Sequence, residues 1–185
     1  MDLEKLKQDK EFLHNLQEEK QKALKTKDIV KMYDVLDTML ALELDDEDID
    51  RLYETILEVA FDRLGDMLMD GKRFDFGKAE DEYTARAIYE HAIERWDRKD
   101  FKGAKELFGV LSFLVPQKWQ EAMALALVAT AKRMELDKFL QEFVDKEKVG
   151  QESIFLDAFT DNAKRFFAQN SELFKEELAK MEKMG

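Results

Sequence analysis

Apolar residues recur along this chain at the three- and four-residue spacing of one helix face, segment after segment. Between 85 and 98, Ala85, Ile88, Tyr89, Ala92, Ile93 and Trp96 fall at i, i+3, i+4, i+7, i+8 and i+11, a continuous stripe of helical period. Between 101 and 115 the pattern repeats with Phe101, Ala104, Leu107, Phe108, Leu111 and Leu114. Only Asp97 to Asp100 separates the stripes. The spacing therefore predicts two antiparallel helices joined by a tight turn, with Gly103 and Ala104 letting the backbones approach.

The rest of the chain reads in the same way. Residues 2–25 predict a first helix, with Leu3, Leu6, Phe12, Leu13, Leu16 and Leu24 as a loose stripe in a very charged segment. It is expected at the periphery. Ile29, Met32, Leu36, Met39 and Leu40 mark a second helix. Leu52, Ile56, Val59, Ala60, Leu64 and Met67 mark a third over 47–69. The acidic run Asp45–Asp50 precedes that third helix, where carboxylates meet exposed N–H groups and the positive dipole end.

Residues 70–82 read as a loop or a short helical turn, with Phe74 and Phe76 between Gly71 and Gly77. Beyond Pro116, residues 118–134 predict a helix whose middle, AMALALVATA, is apolar or small all round. Such a helix belongs between close neighbours. LDKFLQEFVDKEK is expected to continue as its partner. A Phe-rich helix is predicted over 151–168, and Asn170 and Ser171 are expected to cap a last one to about 183. The expectation is one all-α domain, 1–185, of eight or nine helices: a peripheral charged helix (1–25), degenerate hairpins (27–84), a core pair region (85–148) and C-terminal helices (151–185).

Composition supports the all-α reading: 185 residues, 45% apolar, 39% charged, one Pro and seven Gly. The net charge of −12 disfavours nucleic acid and anionic lipid as partners. There are no cysteines, which excludes disulfides, thiolate catalysis and cysteine-based metal sites. No signal-like segment opens the sequence, and no apolar run approaches a membrane span. A cytoplasmic protein without membrane association is expected.

The hairpin at 85–116 resembles a tetratricopeptide repeat. Ala104, Phe108 and Pro116 match the second-helix pattern of that family, A-x3-F with a proline eight residues on, and Phe101 supplies the preceding aromatic. Tyr89, Ala92 and Trp96 match the large-small-large spacing of its first helix, one residue closer to Ala104 than the pattern expects. Two registers follow. In one, Tyr89 and Trp96 pack between the helices of the hairpin. In the other, Arg86, Tyr89, Ile93 and Trp96, with Asp97, line a concave groove. Further units are degenerate: Ile29, Phe74, Phe101 and Phe139 sit at matching positions without a fixed period.

Residues 85–148 are also similar to the first repeat of the class II chaperones of type III secretion, which hold translocator subunits. Tyr89, Trp96, Phe101 and Ala104 carry that likeness. It implies an extended partner peptide held in a groove, with Arg86, Tyr89, Ile93, Trp96 and Asp97 as partner-binding residues.

Candidate chemistry is sparse. Glu11 and His14 form an E-x-x-H, but a carboxylate di-iron site needs a second, and Ile88 stands three residues before His91. Asp46, Asp48 and Asp50 imitate a calcium loop, but Arg51 and Leu57 occupy the Gly and Glu positions. No phosphate loop, nucleophile elbow or dinucleotide fingerprint occurs. The chain is expected to be no enzyme and to need no cofactor or metal. Two readings remain: a chaperone or adaptor that holds a peptide or protein, and a self-assembling all-α subunit forming a homo-oligomer. The first expects Trp96→Ala to weaken partner capture with little change in melting. The second places its contacts in the first helix and in residues 151–174.

Overall fold

The computed structural model describes residues 3–150 and 154–182. The protein is all-α. The helices are α1 (Leu3–Gln8), α2 (Lys10–Thr26), α3 (Ile29–Ala41), α4 (Asp46–Met69), α5 (Ala79–Asp97), α6 (Phe101–Leu114), α7 (Gln117–Ala131), α8 (Leu136–Phe143), α9 (Asp161–Gln169) and α10 (Ser171–Glu182). Among the described residues the only strand-like pairing is a single antiparallel bridge, Val144 with Phe159.

Side-chain caps set many of the helix starts. The carboxylates of Asp9, Asp28, Asp45 and Asp100 accept from the N–H groups of Phe12, Lys31, Asp48 and Gly103, satisfying donors that the helix itself leaves open. Asp9 also explains why residues 3–26 form two helices and not the single one expected. Its side chain starts α2 afresh, accepting from both Glu11 and Phe12 N–H.

The turn after α2 and the turn after α5 are the same device. Lys27 and Lys99 both adopt left-handed backbone, with φ of 52° and 62°. Their N–H groups bond the carbonyls of Leu24 and Trp96, and the next aspartates bond those of Ala23 and Arg95. Each aspartate then caps the following helix. Met32 and Leu36 on α3 are buried like Ala104 and Phe108 on α6.

The chain folds as two compact units: Met1–Gly71 with Phe76–Ala87, and Lys72–Asp75 with Ile88–Gly185. The first holds α1–α4 and the start of α5. Ile29, Met32, Tyr33, Leu36, Met39, Leu52, Ile56 and Ala60 are buried in it. The ends of that core are tied by charge. Lys20 Nζ on α2 reaches Asp48 Oδ1 on α4 at 2.6 Å. Arg63 on α4 donates to the hydroxyl of buried Thr84.

The second unit holds the end of α5 and α6–α10. α6 and α7 share the most extensive close packing, and residues 122–130 of α7 are buried on every side, as their small-residue composition predicts. α10 packs on α6 and α7. Gly109 leaves the room that the Met181 side chain fills, and Lys105 Nζ meets Glu177 Oε2 at 2.5 Å.

Three boundaries differ from the sequence reading. α5 begins at Ala79, six residues before the apolar stripe, because Glu80, Asp81 and Glu82 favour a helix N-terminus. α8 stops at Phe143. The helix expected over 151–168 starts only at Asp161, where the Thr160 hydroxyl accepts from Ala163 N–H. Residues 154–160 are not helical, and 151–153 lie outside the described residues.

Candidate functional site

The residues singled out by sequence fall in different environments. Arg86 belongs to the first unit. Its guanidinium forms two hydrogen bonds to the Asp37 carboxylate, at 2.8 and 2.7 Å, and lies 4.1 Å from the centre of the buried Tyr33 ring. That is the planar, bidentate arrangement arginine suits best. It ties α5 to α3.

Tyr89, Ile93, Trp96 and Asp97 lie in the second unit. Trp96 is 1% exposed. Its ring packs against Phe108 and Phe139, with centroids 5.7 and 4.8 Å away, and its indole N–H donates to the Met134 carbonyl at 2.7 Å. Trp96 therefore packs inside the fold, as in the first of the two registers. Asp97 is exposed at the end of α5.

Tyr89 is buried as well, but at the edge of a cavity. Its ring meets Phe108 and Phe155 edge-on, at 6.0 and 5.0 Å. Its hydroxyl accepts from the Leu156 main-chain N–H at 3.3 Å. Burial pushes the phenol pKa up to about 12, against the hydrogen bond from Leu156, which lowers it; the nearby Asp157 charge adds to the rise. Tyr89 is thus a neutral hydroxyl at physiological pH.

One turn further along, half-buried Ile93 joins Tyr89 in the wall of a recess of about 240 Å³. The opposite wall is Leu136 and Leu140 of α8, and the rim is Val149 with Ile154–Leu156. All lining side chains are apolar apart from the Tyr89 hydroxyl. In the same unit Trp96, Phe139, Phe143 and Phe166 are in successive contact. The sequence reading missed Leu136, Leu140 and the 154–156 rim. A helix assigned over 151–168 hid the rim, although the β-branched and aromatic run SIFLDAFT and the Thr160 cap were signals against it.

A second recess, about 430 Å³, opens between α6, α7, α9 and α10. Its walls mix Phe113, Phe167 and Phe174 with Arg73, Gln120 and Glu121.

The histidines serve local structure. His14 faces Glu18 at 3.5 Å on the exposed side of α2. His91 lies between Glu94 Oε2, 3.2 Å from Nδ1, and Arg95, whose Nε donates to Nε2. Among the described residues, no group of three or more His, Asp or Glu is placed to hold a metal ion. No described helix is long and apolar enough to cross a membrane.

No family model matches the chain, and neither does any curated protein or solved structure.

Proposed function

We propose that the chain is a non-enzymatic protein–protein interaction module, a chaperone or adaptor that holds a peptide or partner protein between α5 and α8. The observation that carries this reading is the apolar recess beside Tyr89 and Ile93. At about 240 Å³ it is smaller than the roughly 300–1,000 Å³ of small-molecule sites. It suits one or two side chains of a larger partner. Its lining is apolar apart from the Tyr89 hydroxyl, which suits a groove that anchors apolar side chains. The hairpin turns shared by Lys27–Asp28 and Lys99–Asp100 support the likeness to tetratricopeptide units.

Affinity capture from the native cell tests the reading. Ile93 is half-buried and lines the recess, so Ile93→Asp places a charge in the groove without opening the core. A dominant partner is expected with the natural chain and lost with Ile93→Asp, with the purified partner rebinding in the same order. Equal capture by both proteins would remove the recess from the function.

A second reading, self-assembly, has its own observation. Phe61, Leu68 and Met69 of α4 are 38%, 51% and 85% exposed, at i, i+7 and i+8, and between them a side chain at Gly65 would meet open space. Residues 154–174 fit such contacts less well. Phe155 is buried, and Phe166 and Phe167 are paired with Phe143 and Phe174 within the chain. Sedimentation of the natural chain and of Leu68→Asp tests this reading. A multimer dissolved by the substitution would favour it, and a monomer would remove it.

A further inference from the structure

The groove proposed for a partner already holds a piece of this chain. Residues 154–160 pass beside α5 and α8 without forming a helix, although Phe155 and Phe159 stand at helical i, i+4 spacing. The segment is bound as a peptide would be. Asp145 N–H donates to Ala158 O at 3.0 Å, Thr160 N–H donates to Phe143 O at 2.9 Å, and Val144 pairs with Phe159. The Tyr89 hydroxyl takes the Leu156 N–H. A side chain that bonds the main chain recognises an extended backbone whatever its sequence.

Side-chain recognition rests on one anchor. Phe155 is 2% exposed, seated edge-on to Tyr89 and 5.1 Å from the Trp119 ring. Ile154, Leu156 and Phe159 remain half-buried, and Asp157 faces solvent. The segment also leaves the groove unfilled. The recess between Ile93, Leu136 and Leu140 stays open directly alongside it.

We propose that residues 154–159, IFLDAF, are a built-in occupant of the partner groove. The partner is an extended peptide of the same chemistry: an aromatic anchor flanked by apolar residues, an exposed acidic residue two positions after it, and a second aromatic four positions after it. This rests on the groove reading above and deepens it. The internal segment competes with the partner, so apparent affinity falls by the fraction of molecules in which the groove is open. An incoming peptide gains contacts at Ile93, Leu136 and Leu140 that the internal segment does not make. Displacement is then favoured once the Phe155 seat is vacated.

The test uses a fluorescein-labelled synthetic peptide of residues 150–161 and the full chain, read by anisotropy. Phe155→Ala in the protein should raise affinity for the peptide about tenfold or more, the equivalent of losing one buried aromatic anchor from the competitor. The same substitution in the peptide should abolish binding. Equal affinity of the natural chain and the Phe155→Ala protein, or binding by neither, overturns the proposal.

Hydrogen exchange on the natural chain, which needs no substitution, provides the second measurement. Excess peptide should speed exchange at the Leu156 and Thr160 amides, which lose their acceptors, and leave Asp145, whose N–H the peptide carbonyl bonds again, and α7 unchanged. Unchanged exchange at both Leu156 and Thr160 also overturns it. A foreign partner whose capture still depends on Ile93 would then show that the groove reading stands while the internal occupant does not.

Discussion

The Trp96 indole N–H on α5 donates to the main-chain carbonyl of Met134, 38 residues later, at 2.7 Å. That bond joins the end of α5 to the turn between α7 and α8. It places the largest side chain of the hairpin inside the unit, with Phe108 and Phe139 packed against it.

Trp96→Ala should therefore cost stability before it costs binding. Emptying an aromatic site of this size loses about 3–5 kcal/mol. Trp96→Phe keeps most of the buried surface and should cost less, while removing the donor to Met134. Urea denaturation of the three proteins gives the comparison. An unchanged midpoint for Trp96→Ala would place the indole outside the core.

Stability should fall in alkali through Tyr89. Its phenol titrates at about 12 in the fold and near 10 when unfolded. Between those values the folded chain keeps a proton that the unfolded chain releases, so the contribution is full below pH 10 and lost as pH rises to 12. Two units correspond to roughly 2–3 kcal/mol. Tyr89→Phe should flatten this part of the stability curve, measured by denaturant midpoints from pH 9 to 12. An unaltered slope would contradict a buried, neutral phenol.

The Lys20–Asp48 pair should be asymmetric. The Lys20 side chain is 6% exposed and that of Asp48 41%. Asp48→Asn leaves a buried ammonium with a weaker partner and should cost roughly 1–3 kcal/mol. Lys20→Met replaces the charge by apolar bulk and leaves Asp48 in contact with water, so the change should stay within about 1 kcal/mol. Thermal unfolding of both variants decides it. Equal losses would mean that the pair acts as an ordinary surface contact.

Lys27→Gly should stabilise the first unit. Lys27 holds a φ of 52°, a conformation that favours glycine. Its ion pair with Asp62 is long, at 3.8 Å, and exposed. The expected gain is roughly 0.5–1 kcal/mol, whereas Lys27→Val should be destabilising. A loss on Lys27→Gly in chemical denaturation would show that the side chain contributes more than its exposure suggests.

Local rules made most of the fold legible. The stripes at 29–40, 52–67, 85–96 and 101–114 became helices because 3.6-residue spacing leaves one face to bury. Asp45 and Asp100 start helices because a carboxylate at that point bonds open N–H groups. The all-apolar run in α7 is buried all round because it has no polar face to show water. Where local rules competed, the sequence reading erred. At Asp9 a cap divided a helix whose stripe continued, and at Ala79 an acidic first turn extended a helix beyond its stripe.

Of the residues lining the recess, Tyr89 and Ile93 stand on the stripe that spacing predicts, whereas Leu136, Leu140 and Ile154 lie outside it. Helical periodicity says which residues share a face; it does not say what that face meets. Both registers for Tyr89 and Trp96 satisfied the same stripe, and only neighbours distant in sequence could separate them. The Met134 carbonyl drew Trp96 inward, and the Leu156 N–H set Tyr89 at the rim. The 154–160 segment shows the same limit most plainly. Its i, i+4 phenylalanines permit a helix, but the aromatic seat at Tyr89 and Trp119 and the main-chain partners at Phe143 and Asp145 hold it out of one. By itself, then, the sequence determined most of the helices and their buried faces, because those depend on residues within a turn or two of one another. The tertiary structure decided the recess and its internal occupant, because both are built from groups tens of residues apart whose mutual geometry no local pattern carries.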